Sequence, residues 1–209
     1  MSLAMEEKPS DTQNDWVKVH RRKGRRTRPS ATAPPAPASS VSLSIPAPST
    51  PSLSVEQVKQ EHDRISDQWK SSSSCRRLQE LLSSHSTSSS VTKAICFGLG
   101  TFDPVDGAWE QKRKAHIQLA AFLAIVDYLR SKEGHAISCF FQDPIFNPVD
   151  KAFIESLGHQ VVESPVGFQL VEPSALVFGV HLYRDVYSQI IATHTPAMFI
   201  GTAYEVWEE

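Results

Sequence analysis

The fold is decided by the stretch Ile95-Cys96-Phe97-Gly98-Leu99-Gly100-Thr101-Phe102, in which a short apolar run breaks at Gly-Leu-Gly before a long helical pattern. A strand, a glycine turn and a helix in that order open a nucleotide-binding α/β unit. The glycines permit positive φ and let a phosphate approach the backbone, but a tight corner between a strand and a helix also favours glycine. The third glycine of GxGxxG is missing, so a ligand cradle and a tight corner both remain open.

Apolar strands alternate with helical segments between Val91 and Gly201. We predict strands at 93–97, 136–141, 159–162, 175–180 and 197–200, and helices at about 108–130, 149–157 and 182–192. Helical connections between apolar strands favour a parallel sheet that is covered on both faces. We therefore predict an α/β protein with a Rossmann-like three-layer fold and a mostly parallel sheet.

A helical lead-in precedes the first strand. Ser54 and Gln57 have the spacing of a capping box, and the apolar positions that follow predict an amphipathic helix to about Lys70. His62 lies on the apolar seam of this helix and is interpreted as a packed residue rather than a metal ligand. A second short helix is predicted around residues 78–82. We assign residues 54–90 to this lead-in and residues 91–209 to the α/β domain.

The N-terminal part of the chain has a different composition. Residues 29–54 contain seven of the 14 prolines among Ala, Ser and Thr, which predicts that residues 1–53 form a disordered tail. Seven cations and no acid lie between Lys18 and Arg28. Such a basic arm is typical of a segment that contacts the import machinery or nucleic acid, and a solvated tail without a dedicated partner is the alternative.

Charge and cysteine usage restrict the class of protein. Residues 1–90 hold thirteen Lys and Arg against nine Asp and Glu, whereas residues 91–209 hold eight against fourteen. The acidic second half argues against a globular surface that binds nucleic acid. Three cysteines, an odd number, indicate a reducing compartment, and neither a secretion leader nor a membrane-spanning stretch is visible. We predict a protein of the cytoplasm and nucleus that does not contact a membrane.

Candidate site residues follow from the predicted sheet, because ligands of open parallel sheets bind beyond the carboxyl ends of the strands. Five residues near those ends are the predicted cofactor-binding or ligand-binding positions: Gly98, Gly100, Thr101, Asp143 and His181. Asp143 is placed to hold a ribose, or it starts an Asp-Pro turn. His181 is placed to act as a general base or metal ligand, or it caps a strand end.

The sequence contains no nucleophile elbow, P-loop, HExxH or CxxC pattern. We therefore predict no catalytic residues and no metal ligands, and the identity of any cofactor stays open. Convergent titratable groups are what an enzyme would need at the strand ends, and only Asp143 and His181 are visible candidates there.

Several motifs in order resemble the Sensitivity to Red Light Reduced family. They are Gly98 to Phe102, Gln118-Leu119-Ala120, Asp143-Pro144 with Phe146, Leu157-Gly158, Pro173 and His181, and the leader Asp15-Trp16 before the basic arm is also similar. Two strand ends differ from the family pattern. Val180-His181-Leu182 stands where relatives tend to have Pro-His-Cys, and Gly201-Thr202-Ala203-Tyr204 where they tend to have Gly-Asn-Ser-Phe.

The resemblance implies an intracellular regulatory protein. The family is connected with circadian-clock output in plants, with regulation of heme biosynthesis and clock-gene expression in animals, and with microtubule-related processes in yeast. We expect a protein without strong enzymatic activity, with a nucleotide-like ligand or a protein as its partner. The alternative is an enzyme dependent on a nucleotide or S-adenosylmethionine, with Gly98, Gly100 and Asp143 holding the cofactor.

Overall fold

The computed structural model describes residues 53–84 and 90–203. The helices are α1 (Val55–Lys70), α2 (Ser73–Ser84), α3 (Trp109–Glu133), α4 (Pro148–Ser156), α5 (Val166–Gln169) and α6 (Arg184–Ile190). The strands are β1 (Lys93–Phe97), β2 (Ser138–Gln142), β3 (Gln160–Val161), β4 (Ala175–Gly179) and β5 (Met198–Gly201). The predicted disordered tail, apart from Leu53, and its basic arm lie outside the described residues.

The five strands form one parallel sheet in the order β3-β2-β1-β4-β5. β1 lies at the centre, where Ile95 is opposite Phe140 of β2 and Val177 of β4. From β1 the chain first adds strands on one side and then, with β4, on the other. The sheet therefore has a topological switch point between β1 and β4, and the predicted Rossmann-like α/β fold is confirmed.

The sheet separates two apolar cores, because successive side chains of a strand point to opposite faces. Ala94 and Cys96 belong to the larger core, which α3 and α4 cover. Ile95 and Phe97 belong to the smaller core, which is covered by α6 and by side chains of the α5 region. The helices thus lie on both faces, as the alternating pattern predicts.

The structure differs from the sequence-based boundaries at a few places. β2 ends at Gln142 rather than Phe141, because Gln142 pairs with Phe97 and its carbonyl accepts the Gly98 N–H at 3.2 Å. β4 ends at Gly179. The four-residue helix α5 was not predicted, since so short a segment has no helical periodicity.

Helix α1 begins at the predicted capping box. The Ser54 N–H donates to Gln57 Oε1 at 2.8 Å, and the Gln57 N–H donates to Ser54 Oγ at 3.2 Å. Val58 and Ile65 on its apolar seam are buried. Just before the helix, the Leu53 N–H donates to a carboxylate oxygen of Asp103 in the loop after β1. The lead-in is therefore packed against the α/β core rather than standing apart from it.

A buried histidine pair joins α1 to α3. The Nδ1 atoms of His62 and His116 are 3.4 Å apart, and the rings of Phe102 and Phe153 pack around the pair. His116 is fully buried, and its Nε2 has no hydrogen-bond partner among the described residues. Burial lowers the pKa of His116 to about 3, with smaller contributions from His62 and nearby cations. Burial also lowers the pKa of His62.

These pKa shifts predict that the protein loses stability in mild acid. The unfolded chain binds protons at its histidines below about pH 6.5, whereas the folded chain resists protonation of His116. The free energy of unfolding therefore decreases as the pH is lowered. We expect His116 to contribute a slope of up to about 1.4 kcal/mol per pH unit between about pH 6 and pH 5. Urea denaturation across this range measures it.

A variant of His116 tests the assignment of this slope to the buried pair. His116→Asn removes one titrating group, so the slope is expected to become shallower in this variant. An equal slope in the wild type and in His116→Asn contradicts the assignment.

The three cysteines Cys75, Cys96 and Cys139 are buried free thiols. Burial raises the pKa of Cys96 well above its usual value and that of Cys139 to about 11, so neither is an activated nucleophile. None of the described helices combines the length and apolar character needed to cross a membrane.

Candidate functional site

A cleft of about 450 Å³ opens at the carboxyl ends of β1, β2 and β4. It is placed at the switch point of the sheet, where the loops after β1 and β4 diverge. Open α/β sheets bind their ligands in such a crevice. We call it the switch-point cleft; its lining includes Gly98, Gln142, Asp143, Ser164 and His181.

The structure brings three of the five predicted site residues to this cleft. Gly98, Asp143 and His181 line it. Gly100 and Thr101 do not line it, but they belong to the loop that supports it. The Thr101 hydroxyl accepts the Asp103 N–H at 3.1 Å and also lies 3.4 Å from Asn147 Nδ2. A ligand-binding role for these residues stays a prediction.

Asp143 connects two loops at the edge of the cleft. Its Oδ1 accepts the N–H of Ile145 at 3.0 Å, which forms the turn after β2. Its Oδ2 accepts the N–H of Gly100 at 2.8 Å, in the loop after β1. Both carboxylate oxygens therefore stabilise backbone donors of the protein itself.

This arrangement affects how the glycine turn can receive an anion. The N–H groups of Gly98, Gly100 and Phe102 donate to Gln142, Asp143 and Asp150, respectively. Helix α3 does not begin until Trp109, so its N-terminal donors do not follow the glycine turn directly. A phosphate at Gly100 would have to displace the Asp143 carboxylate, which occupies the place of the anion in a phosphate-binding loop.

His181 follows β4 with a left-handed backbone, φ +60°, which is uncommon for a residue with a side chain. Its N–H donates to Thr202 Oγ1 at 2.7 Å. The Tyr187 hydroxyl donates to the Gly179 carbonyl at 2.7 Å and accepts the Thr202 N–H at 3.0 Å. The loop that carries His181 is therefore fixed to the ends of β4 and β5 and to α6.

Leu182 packs between two glycines at the base of the cleft. A methyl group added to Gly98 would overlap Leu182 Cδ2, and one added to Gly179 would lie 2.5 Å from Leu182 Cδ1. Gly98 itself has φ +63°. The glycine at position 98 is thus required both by its backbone conformation and by the packing of Leu182 against it.

Sequence reasoning placed Gln142 just after the second strand, beside Asp143, but assigned it no role. This residue is 5% exposed, and its Oε1 accepts the Gly167 N–H at 2.7 Å. The available signal was a polar side chain at the end of an apolar strand, but the ligand-binding role was assigned to the neighbouring Asp143 instead. Gln142 connects β2 to α5, an element that the sequence pattern did not reveal.

A second cleft, of about 610 Å³, lies between α1, α2 and α3. It contains none of the predicted site residues, and it borders the end of α2, after which residues 85–89 are not described. The switch-point cleft is therefore the stronger candidate for a functional site.

A five-stranded parallel sheet with a ligand-sized cleft at its switch point defines a Rossmann-like α/β domain. Within that class, the SRR1 domain matches residues 78–209 of this chain. The chain belongs to the SRR1 domain family, and the resemblance seen in its motifs is confirmed.

Among curated proteins, an SRR1-like protein of Mus musculus is 28% identical over 131 residues. The alignment covers 59% of this chain and 49% of the mouse protein, so the chain spans about half the length of that relative. No solved structure matches the chain.

Proposed function

We propose that this protein is a regulatory member of the SRR1 domain family that acts by binding a small ligand in the switch-point cleft. The observation that carries the proposal is the position of the cleft, since it opens at the switch point and is lined by Gly98, Asp143 and His181. The family resemblance supports roles in biological rhythms and in the regulation of heme biosynthesis, which are part of the proposal.

The contacts of Asp143 favour binding over catalysis. A general acid or base needs an oxygen or nitrogen that can exchange a proton with the reactant. Asp143 is the only carboxylate in the lining of the cleft among the described residues, and both its oxygens accept backbone N–H groups. His181 is the only imidazole in the described lining, and none of the described residues forms a hydrogen bond with its ring.

An enzyme dependent on a nucleotide or S-adenosylmethionine is the second candidate. The left-handed backbone of His181 favours it, because strained residues concentrate at active sites and ligand clamps. The enzyme hypothesis is supported if the protein converts a ligand that binds the cleft and if His181→Asn loses this turnover. Binding without turnover supports the regulator.

We also propose that the basic arm from Lys18 to Arg28 contacts the import machinery or nucleic acid, and that the protein acts in the cytoplasm and nucleus. Seven cations without an intervening acid support this role. Because the arm contains almost no apolar residues, we do not expect it to contribute to the folded core.

The ligand hypothesis is tested by a thermal-shift screen on the full chain with nucleosides, nucleotides, S-adenosylmethionine and heme. A ligand that binds only the folded state raises the melting temperature by mass action. Gln189→Trp places a large ring in the cleft from an exposed position on α6, so we expect it to abolish the shift produced by a true cleft ligand.

Ser188→Trp is the matched control, because Ser188 is also exposed on α6 but does not line the cleft. The shift is expected to persist in this variant. An equal shift in Gln189→Trp places the ligand elsewhere, and the absence of any shift across the screen contradicts the proposed function.

A further inference from the structure

The charged side chains of the switch-point cleft restrict the ligands that it can bind. Among the described residues that line it there is no Lys or Arg, and its one acidic side chain is that of Asp143. The Gly100 N–H, which could otherwise receive an anion, donates to that carboxylate. Phosphates and carboxylates bind where cations or free backbone donors converge, and the described lining holds no Lys or Arg that could supply the cation.

The walls of the cleft are flat and apolar. Phe97 and Phe168 stack with ring centroids 5.1 Å apart and an angle of 11° between their planes. At the mouth, Tyr183 and Ile145 line the cleft while remaining 80% and 58% exposed, respectively. Aromatic rings with an open neighbouring surface favour a planar ligand, which buries apolar area against them at little entropic cost.

Gln142 supplies a hydrogen-bond donor to the cleft. Its Oε1 accepts the Gly167 N–H, and because a backbone N–H needs an acceptor, the orientation of the amide is fixed. The atom that Gln142 can offer a ligand is therefore Nε2, whose hydrogens donate. A buried amide donor in an apolar wall pairs best with a ring nitrogen or a carbonyl oxygen.

We propose that the switch-point cleft binds a planar nitrogen heterocycle that is neutral or cationic, through an acceptor atom facing Gln142 Nε2, and that it rejects the phosphorylated or carboxylated form of the same ring. This inference rests on the proposed function, since it names the chemistry of the ligand for that cleft. Phe168 and Tyr183 provide the apolar contact, and the Asp143 carboxylate repels anions.

Two pairs of probes test the charge preference on the full wild-type chain: adenosine against AMP, and nicotinamide against nicotinate. Titration calorimetry, supported by saturation-transfer NMR, measures each affinity. We expect the neutral member of at least one pair to bind at least about tenfold more tightly than its anionic partner, since the described lining holds the Asp143 carboxyl group and no Lys or Arg. The comparison needs no variant, so failure to fold cannot obscure it.

Gln142→Glu tests the donor. The carboxylate of this variant still accepts the Gly167 N–H but no longer donates, so we expect the affinity for the neutral probe to fall about tenfold or more at pH 8. Gln160→Glu, at an exposed position of β3, is the matched control and is expected to leave the affinity unchanged. Circular dichroism establishes that both variants are folded.

The outcomes separate this inference from the proposed function. Tighter binding of AMP or nicotinate, or full affinity in Gln142→Glu, overturns the inference and leaves a cleft ligand intact. The same holds if none of the four probes binds while another nucleotide produces a shift that its uncharged nucleoside does not and that Gln189→Trp abolishes. If no compound of any charge binds the cleft, both the inference and the proposed function are overturned.

Discussion

Gly98→Ala is expected to lower the free energy of unfolding by about 2–5 kcal/mol. Two costs add at this position. The backbone is left-handed, φ +63°, which a residue with a Cβ adopts only with strain, and the added methyl group would overlap Leu182. Leu182 cannot move away freely, because its other methyl group lies against Gly179. Urea denaturation followed by circular dichroism measures the loss.

Gly107→Ala is the control that separates strain from overlap. Gly107 has φ +66°, but an added methyl group meets no atom within 4 Å, so only the backbone cost of about 1–2 kcal/mol is expected. A second comparison uses Leu182→Ala, which is expected to couple favourably with Gly98→Ala by about 0.5–3 kcal/mol in a double-mutant cycle. Equal losses for Gly98→Ala and Gly107→Ala, or no coupling, contradict the packing described for Leu182.

Asp150→Ala is expected to have a comparable effect, about 2–6 kcal/mol. The carboxylate is fully buried, and it accepts the N–H of Phe102 at 2.9 Å and the N–H of Asn147 at 2.9 Å. Removing it leaves two backbone donors without acceptors, each at a cost of about 1–3 kcal/mol. The substitution also removes the hydrogen bonds that join the loop after β1 to the start of α4. We expect chemical denaturation to show a lower midpoint.

Asp106→Ala provides the comparison for this effect. Asp106 also accepts a backbone N–H, that of Ala108 at 3.1 Å, but at an exposed position where water can replace the carboxylate. We expect it to cost less than about 1.5 kcal/mol. A loss for Asp150→Ala as small as that for Asp106→Ala would show that water reaches the donors at Phe102 and Asn147.

The strands and their order of appearance could be predicted because their signal is local. β1 was placed at its observed bounds, since a short apolar run that stops at glycine has few other interpretations. β2 was placed too early because Gln142 is polar, and only its partner in α5 explains why it can be buried. Helix α1 was predicted from Ser54 and Gln57, whose reciprocal hydrogen bonds span three residues.

The candidate site was only partly accessible from the sequence. The rule that ligands bind beyond parallel strands led to Gly98, Asp143 and His181, which the structure places around one cleft. The contacts around these residues join distant parts of the chain. Gly100 donates to Asp143, and Leu182 packs against Gly98. No spacing rule predicts such pairs, because they depend on tertiary packing.

Because α1 packs against the core, the folded unit and the family match begin at different residues. The family match begins at residue 78, inside α2, yet α1 supplies Val58 and Ile65 to the interior and covers the aromatic side of α3 and α4. A fragment cut at residue 78 keeps every strand but leaves His116 and Phe153 without their cover, and such a patch promotes aggregation. We therefore expect the smallest fragment that keeps this core covered to start ahead of the family match, at the cap of α1.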